Sequence, residues 1–307
     1  MTVGIMMSNG KEAIAITDAQ GSSSGRKSDS FVKLFPVNFS GYFGVLYGTG
    51  DANIFLGSTF GHDVASLDAY VRSLYSRMKA LVDTIDTNYM TRQREEITKE
   101  ALVISDDGRR ADFARQQELG FIQRYEQAKQ NQTWLVTVGF DREAGRVRCY
   151  LVRETGSLEI FTPHLEVGSG ADGANFSLGT AIQGLDVTRL PAEGLLYFAV
   201  NAYHMATENV GVGGTPKIAA ISGNGVMQLP DANVRALMNL SGAFLSRYSV
   251  ITPGSMIGHC KGALEGMVNL RAISRVTGLS GEQLVRMSVP YNVWQDMANQ
   301  KLFWNGK

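Results

Sequence analysis

The chain has 307 residues, of which 44% are hydrophobic and 19% are charged. This composition is typical of a folded globular protein and argues against a disordered chain. Lys and Arg together number 29, as do Asp and Glu, so the formal net charge is zero, and we expect neither a nucleic acid nor an anionic membrane as a partner.

The first sixty residues are predicted to form strands, because short apolar runs alternate there with turn residues. The Asn9–Gly10 pair between the first two runs is typical of a hairpin turn. Gly and Ser residues over 21–25 predict a flexible loop, and Asp51 is a suitable N-cap for a following helix. The predicted strands cover residues 3–7, 13–17, 31–37 and 42–47.

Residues 61–132 change to helical character. Apolar residues recur at three- and four-residue steps from Val64 to Ile85, which predicts an amphipathic helix of about six turns. A charged stretch over 92–100 follows it, and a second helix is predicted from about 110 to 130. We expect part of this polar region to protrude from the body or to pack on a neighbouring subunit.

Strands and helices then alternate to the end of the chain. Predicted strands cover 133–140, 146–152, 158–162, 216–222 and 226–229, and predicted helices cover 174–183, 192–207, 234–248, 259–277 and 280–287. Strand groups that flank a helical pair are typical of two antiparallel sheets covered by helices, an α+β layered architecture.

Neither a disulfide framework nor a metal site is predicted. Only two cysteines occur, Cys149 and Cys260, and we expect both to be buried as small hydrophobic residues. The four histidines are scattered, without a His-x-x-x-His pair. The first residues lack the features of a signal peptide, and no run approaches the ~18 apolar residues of a membrane span. We therefore expect a cytoplasmic location and no membrane partner.

Thr2 directly follows the initiator Met1 and becomes the first residue if Met1 is removed. An N-terminal threonine carries its own general base, because its free α-amine can accept the proton of its own hydroxyl. A cation beside that amine would favour its neutral form, and a carboxylate would hold the cation. Asp18 and Lys33 are the candidates, although Asp18 alone is more typical of a turn residue and Lys33 alone of a solvated strand residue.

Four glycine-containing segments follow these residues in order: Gly48–Ala52, Val138–Gly145, Val167–Ala171 and Val210–Gly214. Together with Thr2, Asp18 and Lys33, and with the Asp18-Ala19-Gln20 tripeptide, they give a resemblance to the proteasome β-subunit family of N-terminal-nucleophile (Ntn) hydrolases. That family includes the bacterial proteasome-like peptidases. The resemblance covers roughly residues 2–230. The interval from Asp18 to Lys33 is one residue shorter than in the family, so Lys27 is a rival for the lysine.

The resemblance implies an α+β fold, namely the four-layer αββα Ntn-hydrolase sandwich of two antiparallel sheets. The hydrolase domain would span residues 2–230, with an enlarged helical insertion at about 61–132. A helical C-terminal extension would then occupy residues 231–307.

The family's catalytic roles map onto four residues of this sequence. Thr2 would be the nucleophile, Lys33 would lower the proton affinity of its amine and hydroxyl, and Asp18 would anchor Lys33. Ser169, in the Gly-Ser-Gly segment, would assist the amine.

The family's substrate-binding roles map onto five further residues. The backbone of Tyr47 and Gly48 would supply donors to the oxyanion, and the backbone of Ser22 would pair with an extended substrate. Val45 and Phe31 match positions that line an apolar pocket.

The sequence departs from the family's pattern at three places. Asn209 and Val212 occur where the family often has Asp and Ser, and Tyr47 replaces the first glycine of a Gly-Gly pair in the substrate cleft. The oxyanion donor is a backbone N–H, so Tyr47 is compatible with activity, whereas Asn209 and Val212 weaken the case for an active peptidase.

The resemblance implies a threonine peptidase that uses Thr2 after Met1 is removed and that needs no metal or cofactor. It would cleave peptides or unfolded proteins within a ring-like homo-oligomer, and a ring ATPase is a further candidate partner. Two alternatives remain: a catalytically inactive structural subunit of a proteasome-like assembly, and an Ntn amidase or peptide ligase of restricted specificity.

Overall fold

The computed structural model describes residues 3–18, 21–23, 26–28, 33–50, 52–59, 64–128, 133–207, 212, 215–245 and 251–266. The strands of this part of the chain are β1 (Val3–Ser8), β2 (Ala13–Thr17), β3 (Gly21–Ser23), β4 (Arg26–Ser28), β5 (Leu34–Phe39), β6 (Tyr42–Thr49), β7 (Trp134–Asp141), β8 (Arg146–Arg153), β9 (Gly156–Ile160), β10 (His164–Gly168), β11 (Lys217–Ser222) and β12 (Gly225–Gln228). The α-helices are α1 (Ala52–Thr59), α2 (Leu67–Ala101), α3 (Asp107–Ala128), α4 (Ala171–Ala181), α5 (Ala192–Ala206), α6 (Asp231–Leu245) and α7 (Pro253–Leu264).

The described strands form two antiparallel five-stranded sheets and one small hairpin. The first sheet has the order β10–β1–β2–β11–β12, and the second has the order β5–β6–β7–β8–β9. The predicted hairpin over residues 3–17 is present, with Gly4 opposite Thr17. The predicted flexible loop over 21–25 is wrong in part, because β3 and β4 pair their backbones there in spite of a Ser- and Gly-rich composition.

Side chains of β1 alternate between the two faces of the first sheet, as the period of two in a strand requires. Val3, Ile5 and Met7 point towards helices, whereas Met6 points towards the second sheet. The same alternation in the other strands gives each sheet one face against its partner sheet and one face against helices. Continuous burial of β1 follows from this arrangement.

Helices cover the outer face of each sheet. The first sheet packs against α4, α5, α6 and α7, with α5 buried along most of its length. The second sheet packs against α1 and the first half of α2. The layers run helix, sheet, sheet, helix, so the predicted α+β four-layer αββα fold is confirmed.

The α2–α3 hairpin extends beyond the second sheet. α2 has 35 residues, or about 52 Å at the helical rise per residue. Its buried residues lie mostly between Leu67 and Val82, and the remainder pairs with α3, for example through Arg94 and Glu118 at 2.8 Å. α2 is longer than the six turns predicted from Val64 to Ile85 and continues through the charged stretch over 92–100, because the Glu, Lys and Arg residues there are good helix formers.

The last two described helices belong to the same core as α5. Val234 and Leu237 of α6, and Met256 and Cys260 of α7, are buried in the cluster that covers β1 and β2. Thr252 caps α7 by accepting a hydrogen bond from the Ser255 N–H, so this helix begins six residues earlier than predicted. The helix predicted over 280–287 lies outside the described residues. None of the described helices has an apolar stretch long enough to span a bilayer.

Candidate active site

Asp18 directly follows β2, beside the start of β1. Its N–H donates to the Val3 carbonyl at 3.1 Å, and the Val3 N–H donates to Asp18 Oδ1, also at 3.1 Å. This reciprocal pair continues the β1–β2 ladder by one step and fixes the Asp18 carboxylate. The carboxylate therefore lies next to Val3, the residue that follows Thr2 in the chain.

Lys33 directly precedes β5 and joins the second sheet to Asp18. Its Nζ donates to both Asp18 oxygens at 2.9 Å. The exposed fractions of the two side chains are 6% for Lys33 and 0% for Asp18. The ion pair is thus buried and connects the ends of two strands in different sheets. Lys33 is the lysine that pairs with Asp18, whereas the backbone of its rival Lys27 pairs with Ser22 in the β3–β4 hairpin.

Burial controls the protonation of both partners. Removal from water raises the pKa of the Asp18 carboxyl, and the nearby Lys33 ammonium opposes that rise. Burial likewise lowers the pKa of the Lys33 ammonium, and Asp18 opposes that fall. Asp18 thus favours the charged ammonium of Lys33 against the cost of burial, and that charge is what the predicted role beside a neighbouring amine requires.

The Gly168-Ser169-Gly170 segment connects β10 to α4 and packs against the start of β1. Gly168 pairs with Val3 and has a φ of +97°, a value that favours glycine. A Cβ on Gly170 would lie 2.8 Å from a Val212 methyl and 3.1 Å from the Val3 Cβ, so no side chain fits there. Ser169 is exposed between these two glycines.

Tyr47 and Gly48 lie near the end of β6, beside Lys33. Leu34 pairs with Tyr47, so Lys33, one residue earlier, is level with Gly48. A Cβ on Gly48 would lie 2.8 Å from the Trp134 carbonyl oxygen, so glycine is needed at this position. Lys33 and the Tyr47–Gly48 backbone are therefore brought together by the pairing of β5 with β6.

The Tyr47 side chain points away from this backbone edge into the space between the sheets. A Cβ on Gly4 would lie 2.5 Å from the Tyr47 ring, so the ring packs directly against the glycine of β1. Val45 is 2% exposed and lies in the same cluster between the sheets.

Several residues predicted for the site are not described. Thr2, Phe31 and Asn209 lie outside the described residues, and Ser22 is described only by its backbone in β3. Val212 is described and buried. It presents a methyl group to Gly170 at the position where the resemblance led us to look for a serine.

The sequence analysis missed one polar residue near Asp18. Tyr203 of α5 is 1% exposed, and its hydroxyl has no hydrogen-bond partner among the described residues. Its sheet-facing neighbours on the helix are Ala199 and Ala206, both small and buried. The sequence contained one indication of this residue, since Tyr203 lies among small residues on the buried face of α5. A buried phenol normally has a hydrogen-bond partner, so such a tyrosine marks a polar contact in the core.

A cavity of about 300 Å³ lies at the opposite end of β1. It is lined by the β1–β2 turn over Ser8–Gly10, by Phe161 and by Leu185. Five residues of strand, or roughly 17 Å, separate this turn from Val3. The cavity is thus not part of the Asp18–Lys33 site. Among the described residues, no group of three His, Cys, Asp or Glu side chains is arranged to hold a metal ion.

Comparisons with known proteins give a likeness of fold. No family description and no curated protein matches the sequence. The structure of Anbu (ancestral beta-subunit) from Yersinia bercovieri matches with a TM-score of 0.50 and 12% identity, over 91% of this chain and 99% of that chain. Anbu from Hyphomicrobium sp. strain MC1 matches with a TM-score of 0.51 and 10% identity, over 79% and 94% of the two chains. The two-sheet α+β structure described above fits the Ntn-type sandwich of these proteins.

Proposed function

We propose that this chain is an Ntn hydrolase, a threonine peptidase whose nucleophile is the Thr2 hydroxyl after Met1 has been removed. The observation that carries the proposal is the buried Asp18–Lys33 ion pair beside Val3. Thr2 is bonded to Val3, and adjacent Cα atoms are about 3.8 Å apart. The chain therefore joins the proposed nucleophile directly to the residue whose N–H binds Asp18, the partner of the buried Lys33.

The proposed reaction has two stages. The Thr2 oxygen attacks the carbonyl carbon of a peptide bond while its proton passes to the Thr2 amine, and the C–N bond then breaks as that proton moves to the leaving amine. Water next attacks the resulting ester, which releases the carboxylic acid and restores the Thr2 hydroxyl. Lys33 would keep the Thr2 amine neutral enough to accept the proton, and Asp18 would hold Lys33 in place.

Two further groups have proposed roles in this reaction. The backbone N–H groups of the Tyr47–Gly48 segment, which lies level with Lys33, would donate to the oxyanion of the tetrahedral intermediate. Ser169 would assist the Thr2 amine, since the turn that contains it packs against Val3. The proposed substrates are peptides or unfolded proteins.

We also propose that the protein acts as a homo-oligomer with a ring-like arrangement. Support comes from the likeness of fold to a protein named an ancestral beta-subunit. Exposed apolar side chains support it too, since Leu102 and Val103 between α2 and α3, and Phe176 on α4, are more than half exposed. Native mass spectrometry and negative-stain imaging of the purified particle test this part, and a monomer at micromolar concentration would contradict it.

A second candidate function is a catalytically inactive subunit of such an assembly. The specific observation is the Val212 methyl packed against Gly170, where the family often has a serine hydroxyl. An apolar group there removes one polar contact from the surroundings of the proposed amine.

Intact mass and covalent labelling distinguish the two functions. We expect a mature mass without Met1 and labelling by a peptide epoxyketone that is abolished in Thr2→Ala but unchanged in the matched variant Thr98→Ala, which alters an exposed helical threonine. Lys33→Met should slow labelling by about 100-fold or more, whereas Lys79→Met, at an exposed ion pair, should have no effect. Retention of Met1, or labelling that survives Thr2→Ala, would refute the peptidase. Removal of Met1 without labelling would favour the inactive subunit.

A further inference from the structure

The Tyr203 hydroxyl is a buried polar group that the proposed reaction does not use. Among the described residues it has no hydrogen-bond partner, although the side chain is 1% exposed. A buried hydroxyl without a partner costs about 1–3 kcal/mol, and native proteins satisfy most such groups with protein atoms or ordered water. The hydroxyl therefore calls for a partner that completes its hydrogen bonding.

The position of Tyr203 on α5 brings it to the same end of the sheet as the ion pair. Ala206, almost one turn later on the same helical face, lies near the Gly170 and Val3 positions, as the 3.4 Å and 3.1 Å approaches to a Cβ built on Gly170 show. Tyr203 and Val3 also belong to one buried cluster. Tyr203 thus lies in the helix that covers β1 and β2, on the side of the first sheet where Val3 is buried.

The electrostatic surroundings decide the protonation of this phenol. Burial, and after it the negative charge of Asp18, raise the pKa of the Tyr203 hydroxyl above its usual value. The phenol therefore stays protonated and is available as a donor. Among the described side chains, the charged groups at this point are Asp18 after β2 and Lys33 before β5.

The Asp18 carboxylate can accept one more hydrogen bond. Oδ1 accepts from the Val3 N–H and from Lys33 Nζ, whereas among the described residues Oδ2 accepts from Lys33 alone. A carboxylate has about four lone-pair sites. No direct hydrogen bond joins Tyr203 to Asp18 within the described part of the chain, so the two groups are separated by more than one hydrogen-bond length.

We propose that Tyr203 is a positioning residue of the candidate site, whose hydroxyl donates to one ordered water molecule that in turn donates to Asp18 Oδ2. A water-mediated hydrogen bond is nearly as favourable in enthalpy as a direct one. The bridge satisfies the phenol and stabilises the charged form of Asp18, which keeps Lys33 oriented. The catalytic role of this water bridge rests on the proposed function, whereas the presence of the bridge does not.

The first experiment needs no activity. The pKa of Asp18 is followed by NMR of ¹³Cγ-labelled aspartate, with Asp18→Asn to assign the resonance, in the wild type, Tyr203→Phe and Tyr197→Phe. Tyr197 is the matched control, because it lies on the same helix and is also buried. Loss of the bridging donor should raise the pKa of Asp18 by about half a unit or more in Tyr203→Phe and leave it unchanged in Tyr197→Phe. An unchanged pKa in a folded Tyr203→Phe protein overturns the proposal.

Two further measurements separate this proposal from the proposed function. A high-resolution crystal structure of the unmodified protein should contain a water within hydrogen-bond reach of Tyr203 Oη and Asp18 Oδ2. A structure without a water between these two atoms overturns the proposal. If epoxyketone labelling occurs, the pH midpoint of its rate should shift in Tyr203→Phe, whereas a purely structural role would lower stability and leave that midpoint in place. If the wild type is not labelled, the proposed function fails, and the Asp18 pKa still decides the role of Tyr203.

Discussion

Neutralising the partners of the buried ion pair, one at a time and together, is expected to separate their mutual attraction from the cost of burying them. At 2.9 Å between Lys33 Nζ and the Asp18 oxygens, the attraction is about 6 kcal/mol at an effective dielectric constant of ~20. Asp18→Asn and Lys33→Met each leave the other charge buried without its ionic partner, which should cost about 3–5 kcal/mol of the free energy of unfolding. The double variant leaves no such charge, so we expect it to lose less than the sum of the two single variants, with a coupling energy of roughly 3 kcal/mol.

The assay is urea unfolding of the four proteins at one fixed protein concentration, since assembly makes apparent stability depend on concentration. The chain provides a matched control in Lys79 and Asp83, which pair at 3.0 Å on the exposed face of α2 with side chains 50% and 59% exposed. Lys79→Met and Asp83→Asn should show almost no coupling energy, because water screens that exposed pair.

The coupling energy at Asp18 and Lys33 is the decisive number. A value as small as that of the surface pair would mean that the two charges are solvated or apart in solution. The account of a lysine held beside Val3 by a buried carboxylate would then be wrong. A double variant that unfolds as readily as the sum of the single variants would lead to the same conclusion.

The remaining predictions concern packing and pH. Gly44→Ala should cost about 3 kcal/mol or more, because its Cβ would lie 2.3 Å from a backbone oxygen of β7, whereas Gly41→Ala meets nothing closer than 3.7 Å and should be nearly neutral in the same urea assay. The Glu166 carboxylate, 2.8 Å from the ring of His164, raises the pKa of this histidine, so stability from the pair is complete below about pH 6.5 and is lost as the pH rises through the higher folded pKa. Thermal unfolding from pH 5 to 9 should therefore show a smaller decline in Glu166→Gln than in the wild type, and an equal or larger decline would contradict this. Leu74→Ala, at a fully buried position of α2, should lower the free energy of unfolding by about 2–5 kcal/mol, and a loss under ~1 kcal/mol would mean that α2 does not pack on the second sheet.

Local patterns predicted the elements that form the core of the site. The alternation of β1 and the Asn9–Gly10 turn depend on residues a few positions apart, so the β1–β2 hairpin was readable and is present. The same holds for α5, predicted over 192–207 and observed from Ala192 to Ala206. Periodicity was less reliable for α2, because the second half of that helix is stabilised by contact with α3 and not by an apolar stripe on the sheet.

The residue types of the candidate site could be named from the sequence, but their partners could not. Asp18 and Lys33 were chosen by resemblance, and a lysine at position 27 was an open rival until the structure paired Lys33 with Asp18. Tyr203 was overlooked, because nothing in its local sequence shows that an α5 side chain approaches a residue 185 positions earlier.

The sequence by itself determined the strand and helix order, the layered fold class and the supply of a threonine, an aspartate and a lysine for nucleophilic chemistry. These properties follow from spacing and composition over short stretches of chain. Only the tertiary structure decided that Asp18 and Lys33 form one buried ion pair next to Val3, that the Gly168–Gly170 turn packs against the same residue, and that Tyr203 is buried in the cluster that contains Val3. Each of these contacts joins residues that are distant in the sequence, and their approach depends on how the strands pair and the layers pack rather than on any local pattern.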